Sequence, residues 1–161
     1  MQLYAIIGAA GTGALIIMEQ DTLYLSFSEI PDASEILFKG EIPGIFVEEA
    51  IRSHSFSMVT RHFHESLELY FLIEGERFYF VEQDTYHLQE HMAILVDQNQ
   101  IHKTCPAGTG KKHHRFLMQL EGPVLDQLLR LCGSVSLEEF GNAYRGITRF
   151  SVDQWAQILS L

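Results

Sequence analysis

Three residues in the segment Arg61-His62-Phe63-His64-Glu65-Ser66-Leu67-Glu68 have the types and spacing of divalent-metal ligands. His62 and His64 are two apart, and in a strand both imidazoles leave the same face of the sheet. Glu68 opens the next strand after a tight connection, where its carboxylate can turn toward the same point. A fourth donor, His102, follows the apolar strand Ala93–Val96 and the turn-like Asp97-Gln98-Asn99-Gln100. Imidazoles and one carboxylate converging with open positions left suit a divalent first-row ion. The same groups can instead be hydrogen-bonding contacts to a ligand in a site that holds no metal.

Other chemistry-bearing patterns read more blandly. Cys105-Pro106-Ala107-Gly108-Thr109-Gly110-Lys111-Lys112 has the letters of a phosphate loop but lacks its first glycine and its Ser or Thr after the lysine, so a hairpin loop is expected. The basic run Lys111-Lys112-His113-His114-Arg115 reads as a solvated edge, with contact to an anionic effector as the lesser alternative. Gly8, Gly11 and Gly13 do not make G-x-G-x-x-G, and no βαβ unit follows them. Cys105 and Cys132 lack CxxC spacing and read as free thiols of a reducing compartment.

The elements that must position these residues are short strands. Candidates are Leu23–Phe27, Ile45–Ala50, Phe56–His64, Leu67–Ile73, Arg77–Val81, Tyr86–Gln89, Ala93–Val96 and His113–Leu120, a spacing that suggests a barrel or sandwich. Tyr70 and Leu72 share the parity of Glu68 and are expected to face the same lumen. After Gly122-Pro123 the pattern turns helical. Leu125, Leu128, Leu129 and Cys132 fall on one face of a first helix; Ser136 with Glu139 and Ser151 with Gln154 form capping boxes opening two more. Val152, Trp155, Ile158 and Leu159 stripe the last, which is too short to be stable alone. The chain thus divides into an N-terminal arm (1–21), a β-barrel (22–121) and C-terminal helices (122–161).

Composition excludes several classes. In 161 residues there are 11 Lys and Arg against 21 Asp and Glu, a formal charge of −10, which is the wrong sign for a nucleic-acid-binding surface. Eleven Phe, six Tyr and 47% apolar residues argue for a packed core against disorder. The uncharged run Leu3–Met18 is shorter than the roughly 20 residues of a spanning helix, and no Lys or Arg precedes it as in a signal peptide.

His62-x-His64-x3-Glu68-x6-Gly75 resembles the first motif of the cupin superfamily, and Ala93 to His102 is similar to the second. The wider phrasing, HFHESLELYFLIEGERFYF and then ILVDQNQIHK, most resembles the N-terminal effector-binding cupin of AraC-type transcription regulators. Phe56 stands at the pattern's leading glycine, and His91-Met92 replaces the usual Gly-Asp of the second motif. The resemblance implies a mainly β, cupin-type double-stranded β-helix or jelly-roll barrel followed by short α-helices. It implies a cytoplasmic domain whose small-molecule effector contacts His62, His64, Glu68, Tyr70, Leu72 and His102. His62, His64, Glu68 and His102 would be the ligands if a divalent ion (Zn, Ni, Mn or Fe) is held. A homodimer would form through Leu125, Leu128, Leu129 and Trp155, and DNA would be reached only through a helix-turn-helix domain expected beyond residue 161. The alternative is a metal-dependent cupin oxygenase or isomerase using the same cluster.

Overall fold

The computed structural model describes the backbone of residues 4–7, 14–18 and 21–25, and residues 34–53, 56–58, 60–110, 112–131 and 136–160. Residues 1–32 and 33–161 form two compact units. In the first, Tyr4–Ile7 (β1), Ala14–Met18 (β2) and Asp21–Leu25 (β3) make an antiparallel sheet in that order. The uncharged N-terminal run therefore forms a hairpin, with Tyr4 opposite Ile17 and Ile7 opposite Ala14. The three glycines of that run, Cys132 and Gly133 lie outside the described residues.

The second unit contains, in chain order, Glu35–Ile42 (β4), Ile45–Ser53 (β5), Leu67–Glu74 (β6), Arg77–Val81 (β7), Asp84–Leu88 (β8), Met92–Val96 (β9), His102–Pro106 (β10), Lys112–Leu120 (β11), helices Gly122–Leu131 (α1) and Leu137–Tyr144 (α2), Gly146–Arg149 (β12) and Val152–Leu159 (α3). One sheet has the order β12-β9-β6-β11-β5-β4 and the other β10-β7-β8, with antiparallel pairing throughout. Alternation along the strands sends one set of side chains between the sheets and the other outward. Tyr70, Leu72, Ile94 and Val96 of the larger sheet meet Tyr79, Val81 and Leu88 of the smaller in one buried cluster. This is the mainly β, cupin-like fold with short C-terminal helices.

Outward side chains of β6, β9 and β11 are covered as well. Leu125 and Leu129 of α1 pack on Leu67, Leu95 and Leu120, and Trp155 of α3 lies against Phe71, Phe150 and His91. With both faces covered, all five residues of β9 are buried. Both expected capping boxes are present, Ser136 with Glu139 and Ser151 with Gln154.

Several sequence expectations need correction. The expected strand Phe56–His64 is irregular; among its described residues His62 forms an isolated bridge to His102, and Met58 N–H donates to the Thr104 carbonyl. Cys105 and Pro106 belong to β10, so the segment after them is a link between sheets and no hairpin loop, because β10 pairs with β7 while β11 pairs with β5 and β6. The run Lys112 to Arg115 is the start of β11, and alternation splits it: His113 is 1% and Arg115 8% exposed, buried from solvent instead of lying on an edge.

Two turns place the site. Gly75 joins β6 to β7 at φ +95°, where a Cβ would come within 2.8 Å of the Lys112 carbonyl oxygen. His91, standing where the cupin pattern has glycine, takes φ +62° and donates its N–H to the Leu72 carbonyl. The turn before β9 is thus kept without glycine.

Candidate functional site

The sequence brings the cluster together by three routes. Leu67–Glu74 carries Glu68 at its start, β10 carries His102 at its start, and the connection between β5 and β6 carries His62 and His64. Backbone bonds from His62 N–H to the His102 carbonyl (3.0 Å) and from His102 N–H to the His62 carbonyl (2.9 Å) staple that connection to β10. The ring centroids of His62, His64 and His102 lie 4.2 to 5.9 Å apart, and one nitrogen from each falls within 4.8 Å of the others. Convergence of His62 and His64 therefore comes from this staple, with no regular strand beneath them.

Hydrogen bonding fixes which nitrogens face inward. Nδ1 of His64 lies 2.8 Å from the Ser66 carbonyl and Nδ1 of His102 lies 2.8 Å from the Gln100 carbonyl. A carbonyl only accepts, so Nδ1 carries the proton and donates in both. Nε2 of His64 meets Glu68 Oε2 at 3.0 Å, a second pure acceptor to which this ring donates as an imidazolium, and Nε2 of His102 lies 3.8 Å from the same oxygen. That His102 atom is buried and has no hydrogen-bond partner among the described residues.

Glu68 is 3% exposed and is held from both sides. Tyr79 OH donates a short hydrogen bond to Oε1, and Gln119 Nε2 donates to Oε2 at 3.0 Å. Burial pushes the carboxyl up, but the hydrogen bond from His64, the charge of His102 and the hydrogen bonds of Tyr79 and Gln119 outweigh it and hold the group at about 2. The hydrogen bond to Glu68 raises His64, while burial, reinforced by His102, lowers His62. Burial and the Glu68 charge keep the Tyr79 phenol well above its usual range, so it remains a donor.

These residues fit a divalent ion. Histidine ligands of metals ordinarily donate their second nitrogen to a carbonyl or carboxylate, which is the arrangement of His64 and His102. A buried imidazole nitrogen left without a partner is costly unless something binds it. Nε2 of His64, Nε2 of His102 and a nitrogen of His62 are the atoms that would hold the ion, with Glu68 Oε2 beside the first two.

Of this cluster, His62 and Glu68 line, with Gln119, one end of a cavity of about 160 Å³ between the sheets. Tyr70, Tyr79, Leu117 and Thr104 form its middle, and Arg52, His113 and Arg115 the other end. Tyr70 thus faces the cavity as the parity predicts, whereas Leu72 sits in the adjacent core. Leu125, Leu129 and Trp155 are buried against this chain's own sheet, while Leu128 is 38% and Leu131 76% exposed. Residue types and short spacing give no sign of Gln119 or Arg52 as cavity groups, while for Arg115 contact with an anionic effector is the lesser of the two sequence readings. The available signal was register, since Gln119 stands opposite Glu68, Arg115 opposite Leu72 and His113 opposite Arg52.

The AraC-like ligand binding domain family matches residues 43–147. No curated protein matches the sequence. Among solved structures, a cupin domain of Schizosaccharomyces pombe is similar at 9% identity and TM-score 0.50, covering 67% of this chain and 75% of its own. An RmlC-like cupin family protein with a double-stranded β-helix fold from Methanocaldococcus jannaschii is 15% identical with TM-score 0.47, over 66% of this chain and 94% of that one. A DMSP lyase from Ruegeria pomeroyi is 16% identical with TM-score 0.45, over 55% and 46%. Such likeness concerns the fold.

Proposed function

The chain belongs to the AraC-like ligand binding domain family, and we propose on that footing that it is the effector-sensing and dimerising part of an AraC-type transcriptional regulator. The observation that supports this most is the cavity of about 160 Å³ between the two sheets, lined by polar groups that have unused hydrogen-bonding capacity. A small molecule entering it would meet Tyr70 and Tyr79 in the middle and the His62, His64, Glu68 and His102 cluster at one end. A divalent ion in that cluster would supply a Lewis-acidic contact for the effector. Tyr79 and Gln119 hold Glu68 in place for either role.

The route from cavity to helices is one residue long. On β6, Glu68 and Tyr70 face inward, while Leu69 packs with the cluster under α1 and Phe71 with Trp155 of α3. A ligand that favours one position of β6 thereby favours one seating of the helices, by as much as its affinity for the two arrangements differs. Because Leu125, Leu129 and Trp155 already pack within the chain, association would use the outward side of α1, at Leu128 and Leu131. DNA would be read by a helix-turn-helix domain of the regulator, in a reducing cytoplasm; among the described residues no helix is long and apolar enough to cross a membrane.

The test is saturable binding of small-molecule fractions of cell extract to the chain, measured by calorimetry. Binding that Leu117→Trp abolishes by filling the cavity supports the sensor; no binding by any fraction overturns it. The complete set of four inward donors also favours a second reading, a metal-dependent cupin oxygenase or isomerase. Oxygen consumption or isomerisation by the metal-loaded chain would establish that reading in place of the first.

A further inference from the structure

The end of the cavity opposite the histidine cluster is built from cations. Arg52 and Arg115 line it, and Arg77 is fully buried beside it on β7. Arg52 and Arg115 share one carboxylate, Glu48: Arg52 Nη2 lies 3.0 Å from its Oε1, and Arg115 Nη2 makes a short hydrogen bond to the same oxygen. Arg77 has no carboxylate at all among the described residues. Its Nε donates to Thr104 Oγ1 at 3.2 Å, and Nη1 and Nη2 are buried without partners there. Three guanidinium groups thus face a single local carboxylate, in a chain whose overall charge is −10.

Further donors at this end are unused. Arg52 Nε, Tyr70 OH and His113 Nδ1 are buried and unpartnered among the described residues. Burial, together with Arg77, Arg115 and Arg52, pushes His113 down to about 3, so the imidazole is neutral and its ring adds no charge of its own. Glu68 pairs with none of these arginines; its oxygens face His64, Tyr79 and Gln119 instead. Buried charges are ordinarily paired, and a buried cation that lacks a counter-ion in the protein calls for one from outside.

We propose that this cavity selects an organic carboxylate, its carboxyl group held at the arginine end by Arg52, Arg115 and Tyr70 OH within the field of Arg77, and its apolar body against Tyr79 and Leu117. The proposal rests on the effector-sensing reading and names the class of effector. A guanidinium fork matches a carboxylate with two parallel bonds, which gives direction as well as affinity. The size of the cavity limits the ligand, since 160 Å³ is well below the roughly 300–1,000 Å³ of pockets for drug-sized molecules. A nucleotide is therefore too large.

The test compares acids with their isosteric amides on the 161-residue chain: butyrate with butyramide, benzoate with benzamide, and inorganic phosphate beside them, by calorimetry. At least one acid is expected to bind tenfold or more tightly than its amide. Arg52→Met is expected to weaken that acid at least fivefold and leave the amide unchanged, and Arg77→Met to weaken it similarly. Arg52 is partly exposed and its variant keeps the assay interpretable if Arg77→Met does not fold. Amides binding as well as acids, or phosphate alone binding, overturns the carboxylate assignment while leaving a ligand-binding cavity. Failure of every probe overturns the carboxylate assignment, and only failure of all extract fractions as well overturns the sensor reading.

Discussion

The two ends of the cavity handle buried charge in opposite ways. At the histidine end one carboxylate, Glu68, is surrounded by donors: His64, Tyr79 and Gln119 each reach it, and the remaining orphan, His102 Nε2, points toward the same oxygen. At the arginine end the donors outnumber the acceptors, and Arg77, Arg52, Tyr70 and His113 all leave buried nitrogen or oxygen atoms unused among the described residues. One end is thus closed around its own anion and the other is missing one. Burial alone therefore does not separate structural polar residues from binding residues, since Glu68 and Arg77 are both buried. Whether the partners are supplied by the chain is what separates them.

The comparison breaks most visibly if Glu68 is removed. Glu68→Ala leaves Tyr79 OH, Gln119 and His64 without their acceptor, and the expected loss is about 3–5 kcal/mol of stability, as for breaking other buried charged networks. Urea unfolding measures it. A loss under about 1 kcal/mol would mean that the histidine end is not the closed network described.

Acid sensitivity probes the other end. His113 is surrounded by Arg52, Arg77 and Arg115, with Phe56 at 6.1 Å between ring centroids, and is held down at about 3. An unfolded chain protonates this histidine near 6.5. Between those two values the unfolded state binds the extra proton, so stability falls as pH falls from about 6.5 toward about 3. The loss reaches about 5 kcal/mol if the full shift is expressed. His113→Phe is expected to flatten this part of the stability profile, and the difference between variant and parent isolates it from Glu68, His62 and His64. Identical slopes in the two proteins would show that burial and the arginines do not hold this ring down.

Arg77→Met sharpens the contrast because its expected sign is reversed. Removing a buried cation that has no carboxylate partner among the described residues relieves desolvation, and apolar replacement of buried ionic groups is often neutral or stabilising by about 1–4 kcal/mol. A higher urea midpoint with weaker acid binding would mark a residue kept for its ligand. A lower midpoint would assign Arg77 to the core of the fold.

These two ends also differed in how far they were legible in the sequence. The histidine end is written locally: His62, His64, Glu68 and Gly75 lie within fourteen residues, and β6 begins where the alternation of Leu67 to Ile73 predicts. The arginine end is assembled from Arg52 on β5, Arg77 on β7 and Arg115 on β11, which are far apart along the chain and meet only through register. Lys112 to Arg115 read as a solvated run because four basic residues in a row say nothing about which pair alternation turns inward. Strand β4 was not legible since nearly all of it is exposed and lacks alternation, and β12 because four residues between two helices carry too little pattern. The helix stripes carry the apolar residues that the periodicity predicts, but periodicity cannot say whether a stripe meets its own sheet or another copy. Leu125, Leu129 and Trp155 meet the sheet.

The smallest expected effect comes from Gln119, and it decides how closed the histidine end is. Its Nε2 donates to Glu68 Oε2, the same oxygen that His64 contacts, and this bond is among the influences that hold the Glu68 carboxyl low. Gln119→Leu removes one donor and leaves His64 and Tyr79 in place, so the stability change should stay within about 0.5–1.5 kcal/mol. If Glu68 holds a divalent ion, loss of this supporting bond should lower zinc affinity about 10–100-fold, measured by competition with a chromophoric chelator. The carboxyl should also titrate higher, moving the loss of zinc on acidification to a higher pH. Unchanged zinc affinity in Gln119→Leu together with loss of zinc in His102→Ala would restrict the ion to the three histidines, leaving Glu68 as their hydrogen-bonding partner and not a ligand.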